Sequence, residues 1–578
     1  MFRAFRAEVT ACLQEALDAM GHADVDVGLE EPPDQVDAGL ASNVAFRLAE
    51  RRGEAPPDVA AALAAGVEIG DRRYVAAATS MGPYINFTMT EAYLTDTVTA
   101  AMTDGWGRLE STGRSVIIEH TSANPTGPIH VGRARNPIFG DALARLLSAA
   151  GATVERHYYV NDAGRQVATF TWAVERFAAD ALPEPTRDRS DHQLVRYYQH
   201  GSSYLDAADP TEVAEATAAI DAIMQGLEAG DQDTYDRVHA VIDPVLAGMA
   251  ESLERLGVRF DAFVEETRFI RDGSADAIIS ALQDLPESEK EDGAWMLDLS
   301  EAGIDKELVF VRGDGTSLYT TRDLAYHHWK LEEFDAAVTV LGEDHKLQAE
   351  QLRAALRLLG DDTSGLAQPW YSWVTLPEGG MSTRAGTGIN LDDLLDEAIR
   401  RARAEVIERD PELGAEAIDA IAHAVGVGAV RYDIISKQPT KGITFDWDRA
   451  LDVEAQSAPY IQYAHARASG IIDTAADAGI QPAVEPSVIT RPVESRLVET
   501  IARYPMVIEE AAAELTPHTI ATYVRECAEE FNQFYREARI VGADEPDVAG
   551  TRLAIVHGAQ ATLASGLELL GVEAPEVM

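Results

Sequence analysis

The sequence predicts a multidomain α/β protein with a parallel sheet at its centre and an all-α bundle at its C-terminus. Residues 115–160 have the strand–loop–helix–strand order that is typical of a parallel sheet. Residues 180–260 are polar with helical spacing, which indicates a helical insertion into the sheet domain. From residue 396 to residue 578 almost every segment has helical spacing. A chain of 578 residues is long enough for several domains of roughly 150 residues each.

Residues 1–108 are predicted to form a separate α+β unit. Helical spacing covers residues 2–20, and a proline pair begins a second helix at residues 56–65, because proline suits the first turn. Two strand-forming segments follow at residues 73–78 and 84–89.

The sheet domain is predicted to cover residues 109–395. Its first two strands are residues 115–119 and 153–160, and a helix joins them. Strand–helix alternation resumes after the insertion, with strands at residues 308–311 and 337–341. This alternation predicts a parallel α/β sheet.

The chain is strongly acidic. It has 97 Asp and Glu residues against 48 Lys and Arg residues, which gives a net charge of −49, and only six of the basic residues are lysine. Such a surface fits basic partners or adaptation to very high salt, and we favour high salt because the acidic residues are spread along the whole chain. Strong screening at high salt also removes the usual argument that an acidic protein avoids nucleic acid.

Several protein classes fit poorly. No run approaches the ~20 apolar residues of a membrane-spanning helix, and the N-terminus has no apolar signal core. Cys12 and Cys527 lie at opposite ends of the chain and match neither a disulfide framework nor a zinc site. A cytoplasmic protein without a membrane partner is therefore expected.

The clearest candidate site is the loop that joins the strand at residues 115–119 to the following helix. Ligands bind where the strands of an open parallel sheet end, and a helix N-terminus offers N–H groups to phosphate. His130 adds a ring donor, Gly132 permits close approach of a nucleotide, and Arg133 adds a fixed cation. By itself this spacing is a weak signal, because an ordinary surface turn could carry the same residues.

The residues around this loop resemble a known family. The segment His130-Val131-Gly132-Arg133 resembles the HIGH signature of class I aminoacyl-tRNA synthetases, and its flanks resemble arginyl-tRNA synthetases. Gly380-Met381-Ser382-Thr383-Arg384 is similar to a degenerate form of the second signature, KMSKS. Further similar blocks follow in the family's order, at residues 122–125, 134–136, 140–145, 159–166, 458–467, 530–535 and 569–578.

The resemblance implies an enzyme that uses ATP, accompanied by Mg²⁺, to join L-arginine to tRNA(Arg) through arginyl-adenylate. It implies a Rossmann-like catalytic domain at residues 109–395, a tRNA-contacting domain at residues 1–108 and a helical anticodon-binding domain at residues 396–578. It implies no metal site within the protein itself. A monomer is expected.

The resemblance also implies three groups of site residues. Catalysis and ATP binding would use His130, Gly132, Arg133, Met381, Ser382 and Arg384. Arginine binding would use Glu119, Asn124, Tyr319, Asp323 and His345. Binding of tRNA would use Tyr84, Asn86, Tyr460, Gln462, Tyr463 and Arg467.

The residue types suit these roles. A guanidinium substrate favours a carboxylate and an aromatic wall, and the spacing of Tyr319 and Asp323 places both on one face of a helical turn. Unpaired RNA bases stack on aromatic rings and guanidinium groups, and Tyr460, Tyr463 and Arg467 recur at helical spacing.

The chain departs from the family pattern at several positions. Arg133 stands where relatives usually have a second histidine, and glycine occupies both positions, 127 and 380, at which many of them have a lysine. We hypothesise that Arg133 and Arg384 supply the missing positive charge. Pro137 lies within the predicted helix and should kink or restart it.

Two alternatives are left open. The departures at Gly127, Arg133 and Gly380 would suit a catalytically inactive, synthetase-like tRNA-binding protein. Another class I synthetase, for cysteine or glutamine, is the other alternative. The absence of cysteine clusters for zinc weakens the cysteine alternative, and Tyr319 with Asp323 favours a cationic side chain.

Overall fold

The protein is described by a computed structural model that covers residues 1–33, 36, 38–313, 318–375, 389–452, 456–543 and 545–578. The helices are α1 (Phe2–Ala19), α2 (Val44–Arg52), α3 (Pro56–Gly66), α4 (Glu91–Ala101), α5 (Arg135–Ala149), α6 (Arg165–Arg176), α7 (Ser190–Ala207), α8 (Pro210–Glu228), α9 (Gln232–Arg255), α10 (Arg268–Arg271), α11 (Ser274–Gln283), α12 (Tyr319–Glu333), α13 (Lys346–Leu358), α14 (Leu391–Arg409), α15 (Ala415–Ile435), α16 (Trp447–Leu451), α17 (Ala458–Asp477), α18 (Pro492–Glu514), α19 (Pro517–Glu537) and α20 (Pro546–Leu569).

The strands are β1 (Leu29–Glu30), β2 (Leu40–Ser42), β3 (Val75–Met81), β4 (Tyr84–Met89), β5 (Ser115–Glu119), β6 (Thr153–Val160), β7 (Ala262–Glu265), β8 (Ser288–Glu291), β9 (Ala294–Leu297), β10 (Leu308–Val311), β11 (Ala336–Thr339), β12 (Leu341–Gly342), β13 (Leu366–Ala367), β14 (Trp370–Tyr371), β15 (Val374–Thr375) and β16 (Ile443–Thr444).

The N-terminal unit is an antiparallel sheet covered by helices. Its strand order is β1-β2-β4-β3, and α1, α2 and α3 close a separate apolar core against it. Strands β3 and β4 pair directly across a two-residue turn in which Gly82 has φ 58°, a backbone conformation that suits glycine. This arrangement confirms the predicted α+β unit.

The central sheet is parallel, with strand order β13-β11-β5-β6-β7. The chain leaves β5 toward β6 on one side, and β11 later joins β5 on the other side. The strand order therefore reverses at β5, and such a switch point opens a crevice at the carboxyl ends of the strands. The segments after β5 and β11 are placed to line that crevice.

Two predicted strands differ from the expectation. Residues 308–311 form β10, but β10 pairs with β9 in an antiparallel sheet of order β10-β9-β8. Its short apolar run cannot reveal which partner it takes, because pairing depends on the neighbouring hairpin. Residues 337–341, predicted as one strand, belong to two strands, β11 and β12, which are separated at Val340. The N–H of Val340 donates to the carbonyl of Glu119 at 2.9 Å.

Helices α7, α8 and α9 form the insertion and pack on α6. Buried ion pairs attach this insertion to the start of α14. Asp392, at the second position of α14, accepts hydrogen bonds from Arg189 and Ser252, each at 2.7 Å, and also pairs with Arg255. The insertion and α14 therefore meet on one side of the loop that follows β5.

The C-terminal region is a helical bundle, which confirms the predicted fold class. Helices α15 and α17 to α20 pack together, and α4, α5 and α18 join them to the two preceding units. Helix α14 begins at Leu391 and runs across residue 395, where the sequence predicted a domain boundary. Across the described part of the chain, no helix is both long and apolar enough to cross a lipid bilayer.

Candidate active site

The loop after β5 begins in a strained conformation. Thr121 and Ser122 have φ of 70° and 40°, a region that residues with a Cβ seldom adopt. The loop is held by hydrogen bonds: the Asn136 side chain accepts from the N–H of Thr121 at 2.7 Å, and Asn161 donates to the carbonyl of Ser122 at 3.2 Å. Strain of this kind costs roughly 1–3 kcal/mol and is common at active sites. Sequence reasoning did not single out Asn136 or Asn161, although both lie in blocks that resemble the family.

The backbone N–H groups at the end of this loop are already occupied. The N–H of Val131 donates to the carbonyl of Ile389 at 3.0 Å, and that of Arg133 donates to the carbonyl of His130 at 2.9 Å. The N–H of Gly132 donates to Nδ1 of His130 at 3.1 Å, and the N–H of Ala134 donates to Val131. These four N–H groups are therefore not free for a phosphate, because the 3₁₀ turn at Val131–Arg133 and its neighbouring contacts occupy them. Phosphate binding by the first-turn N–H groups of the helix that begins at Arg135 stays a prediction.

His130 is instead the donor that the loop presents. Its Nδ1 accepts from the N–H of Gly132, and its buried Nε2 has no hydrogen-bond partner among the described residues. Burial, and then the Arg133 guanidinium, lower the pKa of His130, so the ring is neutral. With Nδ1 as the acceptor, the ring proton must be on Nε2, which can donate to a ligand.

Helix α5 then begins at Arg135, so Pro137 lies in its first turn. A first-turn N–H has no partner within the helix, and proline therefore costs no hydrogen bond there. The sequence predicted a kink or a restart of the helix at Pro137, but α5 begins two residues earlier, after the 3₁₀ turn, and continues through Pro137. Arg135 is buried, and its guanidinium donates to the carbonyls of Ser372, Gln438 and Lys441.

A cavity of about 380 Å³ lies between this loop and the insertion, and we call it the loop cavity. One wall is residues 123–133, including His130 and Arg133, and the opposite wall is α7 with residues 183–186. Asn390 closes one end and forms an isolated β-bridge with His130. The polar lining and the unpartnered His130 Nε2 fit a polar ligand such as a nucleotide.

A second cavity, of about 180 Å³, lies at the carboxyl ends of β5 and β11, and we call it the sheet-end cavity. It brings together four of the five residues predicted to bind arginine, namely Glu119, Tyr319, Asp323 and His345. Helix α12 begins at Tyr319 and places Asp323 one turn later, as the spacing predicted.

Asn124 does not line the sheet-end cavity. It lies beside the loop cavity and a neighbouring cavity that it shares with Tyr319, and its Nδ2 donates to Oε1 of Gln166 at 2.5 Å. The backbone turn at Thr121 and Ser122 separates it from Glu119, a separation that residue types alone could not show.

Glu119 and Asp323, two of the four carboxylates that line the sheet-end cavity, have different partners. Glu119 Oε2 accepts a hydrogen bond from the buried Nζ of Lys330 at 2.5 Å, so its charge is already balanced. Asp323 Oδ1 lies 3.0 Å from Nδ1 of His327. Burial raises the pKa of the Asp323 carboxyl, but the contact with His327 and the Lys330 charge outweigh burial, so the pKa is lower than usual. Asp323 is therefore an ionised group that can receive a cationic ligand.

Sequence reasoning missed Lys330, His327 and a second buried pair next to the cavity. Arg322 Nε donates to Glu266 Oε1 at 2.6 Å, and both side chains are buried. A signal was available for Lys330, because it is one of only six lysines and follows Asp323 by seven residues, on the same face of α12. Nothing comparable marked Glu266.

The second signature segment lies outside the described residues. Met381, Ser382 and Arg384, which were predicted to serve ATP binding and catalysis, are all among residues 376–388, as is Gly380. The described chain resumes at Ile389, whose carbonyl accepts from the N–H of Val131, and continues into the Asn390 bridge with His130. Ile389 and Asn390 therefore lie directly against the loop that follows β5.

In the N-terminal unit, the predicted RNA-contacting residues differ in exposure. The ring of Tyr84 is half-buried and packs edge-on against the exposed ring of Phe46, with centroids 5.6 Å apart. Asn86 is only 5% exposed in the middle of β4, so the prediction that its amide meets an RNA base is corrected. Ile85 and Phe87 are buried, as strand alternation predicted.

In the C-terminal bundle, α17 presents an aromatic and cationic cluster. The Arg467 guanidinium lies 4.6 Å from the ring centroid of Tyr463 and 4.7 Å from that of Tyr535 on α19. Both rings are exposed, and Asn532 accepts a hydrogen bond from Arg467. Tyr535 and Asn532 had been quoted only as part of a matching block, and packing makes them neighbours of the predicted residues.

Gln462 does not belong to this exposed cluster. It is fully buried, and its Nε2 donates to the carbonyls of Ala424 and Glu573 at 3.0 and 2.9 Å. The prediction that Gln462 contacts tRNA is therefore corrected, because its side chain joins α17 to α15 and to the C-terminal segment. Tyr460 is half-buried against the bundle core.

One group of side chains has the spacing of metal ligands. Asp162, His239 and Glu265 place ligand atoms within 4.8 Å of one another. Asp162 accepts from Thr267 and lies 3.1 Å from Nε2 of His239, and Glu265 accepts from the hydroxyl of Tyr235 at 2.8 Å. These hydrogen bonds account for the cluster, and we assign no metal to it.

Models of three protein families match this chain. The model described as "tRNA synthetases class I (R), catalytic domain" matches residues 98–447, and the "DALR anticodon binding domain" matches residues 461–578. The "Arginyl tRNA synthetase N terminal domain" matches residues 5–89.

Curated proteins named arginine–tRNA ligase are similar over the full length of both chains. The protein of Haloarcula marismortui is 56% identical and that of Haloquadratum walsbyi is 54% identical, each covering 100% of both sequences. The protein of Methanocella arvoryzae is 42% identical over the same extent.

Among solved structures, the Thermus thermophilus arginyl-tRNA synthetase is similar, with a TM-score of 0.83 and 28% identity. The match covers 99% of this chain and 100% of that structure. The Plasmodium falciparum arginyl-tRNA synthetase matches with a TM-score of 0.78 at 14% identity, which supports the fold alone.

Proposed function

The chain belongs to the arginyl-tRNA synthetase family of class I, and from that premise we propose how its described residues carry out the reaction. It is an arginine–tRNA ligase that works in two steps. A carboxylate oxygen of L-arginine attacks the α-phosphorus of ATP, which forms arginyl-adenylate and releases pyrophosphate. The arginyl group then passes to the 3′-terminal ribose of tRNA(Arg). No observation favours an inactive homologue or a different amino acid.

The sheet-end cavity binds L-arginine. The observation that carries this assignment is the ionised Asp323 beside the exposed ring of Tyr319, because a guanidinium pairs with carboxylates and stacks on aromatic faces. Glu119 is paired with Lys330 and Glu266 with Arg322, which leaves Asp323 and the exposed Asp344 as the carboxylates available to the substrate. His345 lines the outer part of the cavity, and Asn124, which shares the neighbouring cavity with Tyr319, is the candidate partner of the substrate amino group.

The loop cavity binds ATP. His130 Nε2–H and the Arg133 guanidinium, which line this cavity, would stabilise the charge that develops on the phosphate oxygens. Gly132 is buried and does not line the cavity; it would act by letting the His130 ring lie close to the backbone. Met381, Ser382 and Arg384 of the second signature would complete this site. Mg²⁺ would arrive with ATP, held by the phosphates and water, as is usual for magnesium.

The remaining assignments concern tRNA and assembly. Residues 1–108 would contact tRNA through Tyr84, residues 109–395 would perform the chemistry, and residues 396–578 would read the anticodon through Tyr460, Tyr463 and Arg467. We propose that the enzyme acts as a monomer in the cytoplasm.

An ATP–pyrophosphate exchange assay at high KCl, with and without tRNA, tests these assignments. The wild type should exchange in the presence of arginine and not of cysteine or glutamine. Asp323→Asn should raise the KM for arginine by about 10- to 150-fold, because a hydrogen bond to a charged group is worth about 1.5–3 kcal/mol. Arg133→Ala should slow adenylate formation by about 100-fold.

Asp361→Asn is the matched control for Asp323→Asn. Asp361 Oδ1 contacts Nδ1 of His328 at 2.8 Å, the same kind of Asp–His pair, but Asp361 lines neither the loop cavity nor the sheet-end cavity. An arginine KM that is the same in Asp323→Asn and Asp361→Asn would remove Asp323 from the substrate site.

A further inference from the structure

The wall of the loop cavity opposite His130 carries an arginine without a carboxylate partner. Arg196, on α7 of the insertion, donates from Nε to the carbonyl of Gln193 at 2.8 Å and from Nη1 to the carbonyl of Pro183 at 2.7 Å. It forms no salt bridge with any carboxylate in the described part of the chain. We propose that Arg196 binds a phosphate oxygen of ATP, opposite His130 and Arg133.

This inference rests on the proposed binding of ATP in the loop cavity. The charge distribution supports it first. Acidic residues outnumber basic residues by 97 to 48, and the neighbouring arginines 187 and 189 each pair with aspartates. Arg196 shares the loop cavity with Arg133, which also forms no ion pair with a described residue. Two cations on one cavity predict an anionic ligand.

The acidic residues that line the same cavity do not neutralise Arg196. Asp393 is held by Arg187 at 2.5 Å and accepts from the N–H of Asn390. Glu184 is exposed to solvent, and no contact joins it to Arg196. The cavity therefore has a cationic wall on each side, and the buried Nε2 of His130 is a third donor.

The position of Arg196 is set by packing against the same loop. The preceding residue, Val195, fills the space beside Gly127, where a Cβ would lie 2.5 Å from Cγ2 of Val195. The start of α7 is fixed as well, because Arg189 joins Asp392 of α14 at 2.7 Å. A cation held in place by carbonyls and packing needs little reorganisation to meet a phosphate, which is the arrangement that favours electrostatic catalysis.

Arg196 adds a donor beside a turn whose backbone N–H groups already have hydrogen-bond partners. The N–H groups of Val131, Gly132, Arg133 and Ala134 all have partners, so this turn offers a phosphate no backbone donor. A side-chain donor on the opposite wall therefore adds to what the turn itself can supply. With glycine at both 127 and 380, the insertion helix contributes the positive charge from outside both signature segments.

The test is arginine-dependent ATP–pyrophosphate exchange with tRNA in high KCl, for Arg196→Gln and Arg196→Lys. Arg196→Gln should lower kcat/KM for ATP by about 10- to 150-fold, as for loss of a hydrogen bond to a charged group, with the KM for arginine unchanged. Arg196→Lys keeps the charge without the planar fork and should recover part of the loss. Arg176→Gln is the matched control, since Arg176 is exposed, forms no salt bridge with a described residue and packs on the ring of Phe177.

Wild-type kcat/KM for ATP in a folded Arg196→Gln protein would overturn the inference. If Arg196→Gln fails to fold, Arg196→Lys decides: an ATP-specific defect supports the inference, and an equal loss toward arginine and ATP contradicts it. A wild-type protein without arginine-dependent exchange would instead refute the proposed function.

Discussion

The buried side chain of His120, at the start of the loop after β5, should make the stability of the fold depend on pH. His120 is buried, and its ring packs at a tilt against that of Phe260, with centroids 4.6 Å apart. Gly140 is what allows this approach, because a Cβ there would lie 2.3 Å from the His120 ring. Burial lowers the pKa of His120 to about 4, so the ring stays neutral in the folded protein.

This shift predicts acid sensitivity. The unfolded chain binds the His120 proton near pH 6.5 and the folded chain only near pH 4. The stabilisation is therefore complete above pH 6.5 and is lost as the pH falls toward 4, by about 3 kcal/mol. Thermal melts in molar KCl should show a shallower pH dependence of Tm for His120→Gln than for the wild type. His22→Gln, at a half-buried N-terminal site, should keep the wild-type slope. Equal slopes in all three proteins would contradict this account.

Helices α17 and α19 together form a surface that neither has alone. Tyr463 and Arg467 lie one turn apart on α17, and Tyr535 reaches them from α19. Two exposed rings around one guanidinium are a stacking platform for unpaired bases. One residue away, Gln462 faces the opposite side of α17 and is buried.

Variants of these helices should separate RNA binding from stability. Tyr463→Ala and Tyr535→Ala should each lower kcat/KM for tRNA by about 5- to 150-fold, because stacking contributes about 1–3 kcal/mol per base. The KM values for ATP and arginine should not change. Gln462→Ala should instead lower the free energy of unfolding by about 1–3 kcal/mol, since it removes the two hydrogen bonds that the buried Gln462 amide donates. Normal aminoacylation by both folded tyrosine variants would show that this cluster does not bind tRNA.

The acidic surface of the entire chain sets the conditions in which it folds. A net charge of −49 repels itself over about 10 Å at 0.1 M salt but only about 3 Å at 1 M. Named relatives from Haloquadratum and Haloarcula share more than half of the sequence, which fits the interpretation of salt adaptation.

We expect folding and aminoacylation to need molar KCl or NaCl. Circular dichroism and aminoacylation rates, followed while KCl is lowered from about 1 M to about 0.1 M, should show a cooperative loss of structure and activity. NaCl should replace KCl, because screening depends on ionic strength. A stable and fully active enzyme in dilute buffer would refute the salt interpretation.

The sequence alone determined the features that depend on neighbours along the chain. These include the strand–loop–helix order around His130, the helical turn that joins Tyr319 to Asp323, and the buried alternation in β4, because hydrophobic period and turn chemistry are local. The signature blocks also indicated the family and its reaction, because each block is a short run of neighbouring residues.

Tertiary structure alone decided which side chains meet. Lys330 balances the charge of Glu119, although 211 residues of sequence separate them. Gln462 is not exposed to RNA, because α15 and the C-terminal segment cover it. Arg196 reaches the loop cavity only because α7 packs against Gly127. Charge balance and burial at each of these positions come from packing between distant segments, and no local pattern of residue types encodes that packing.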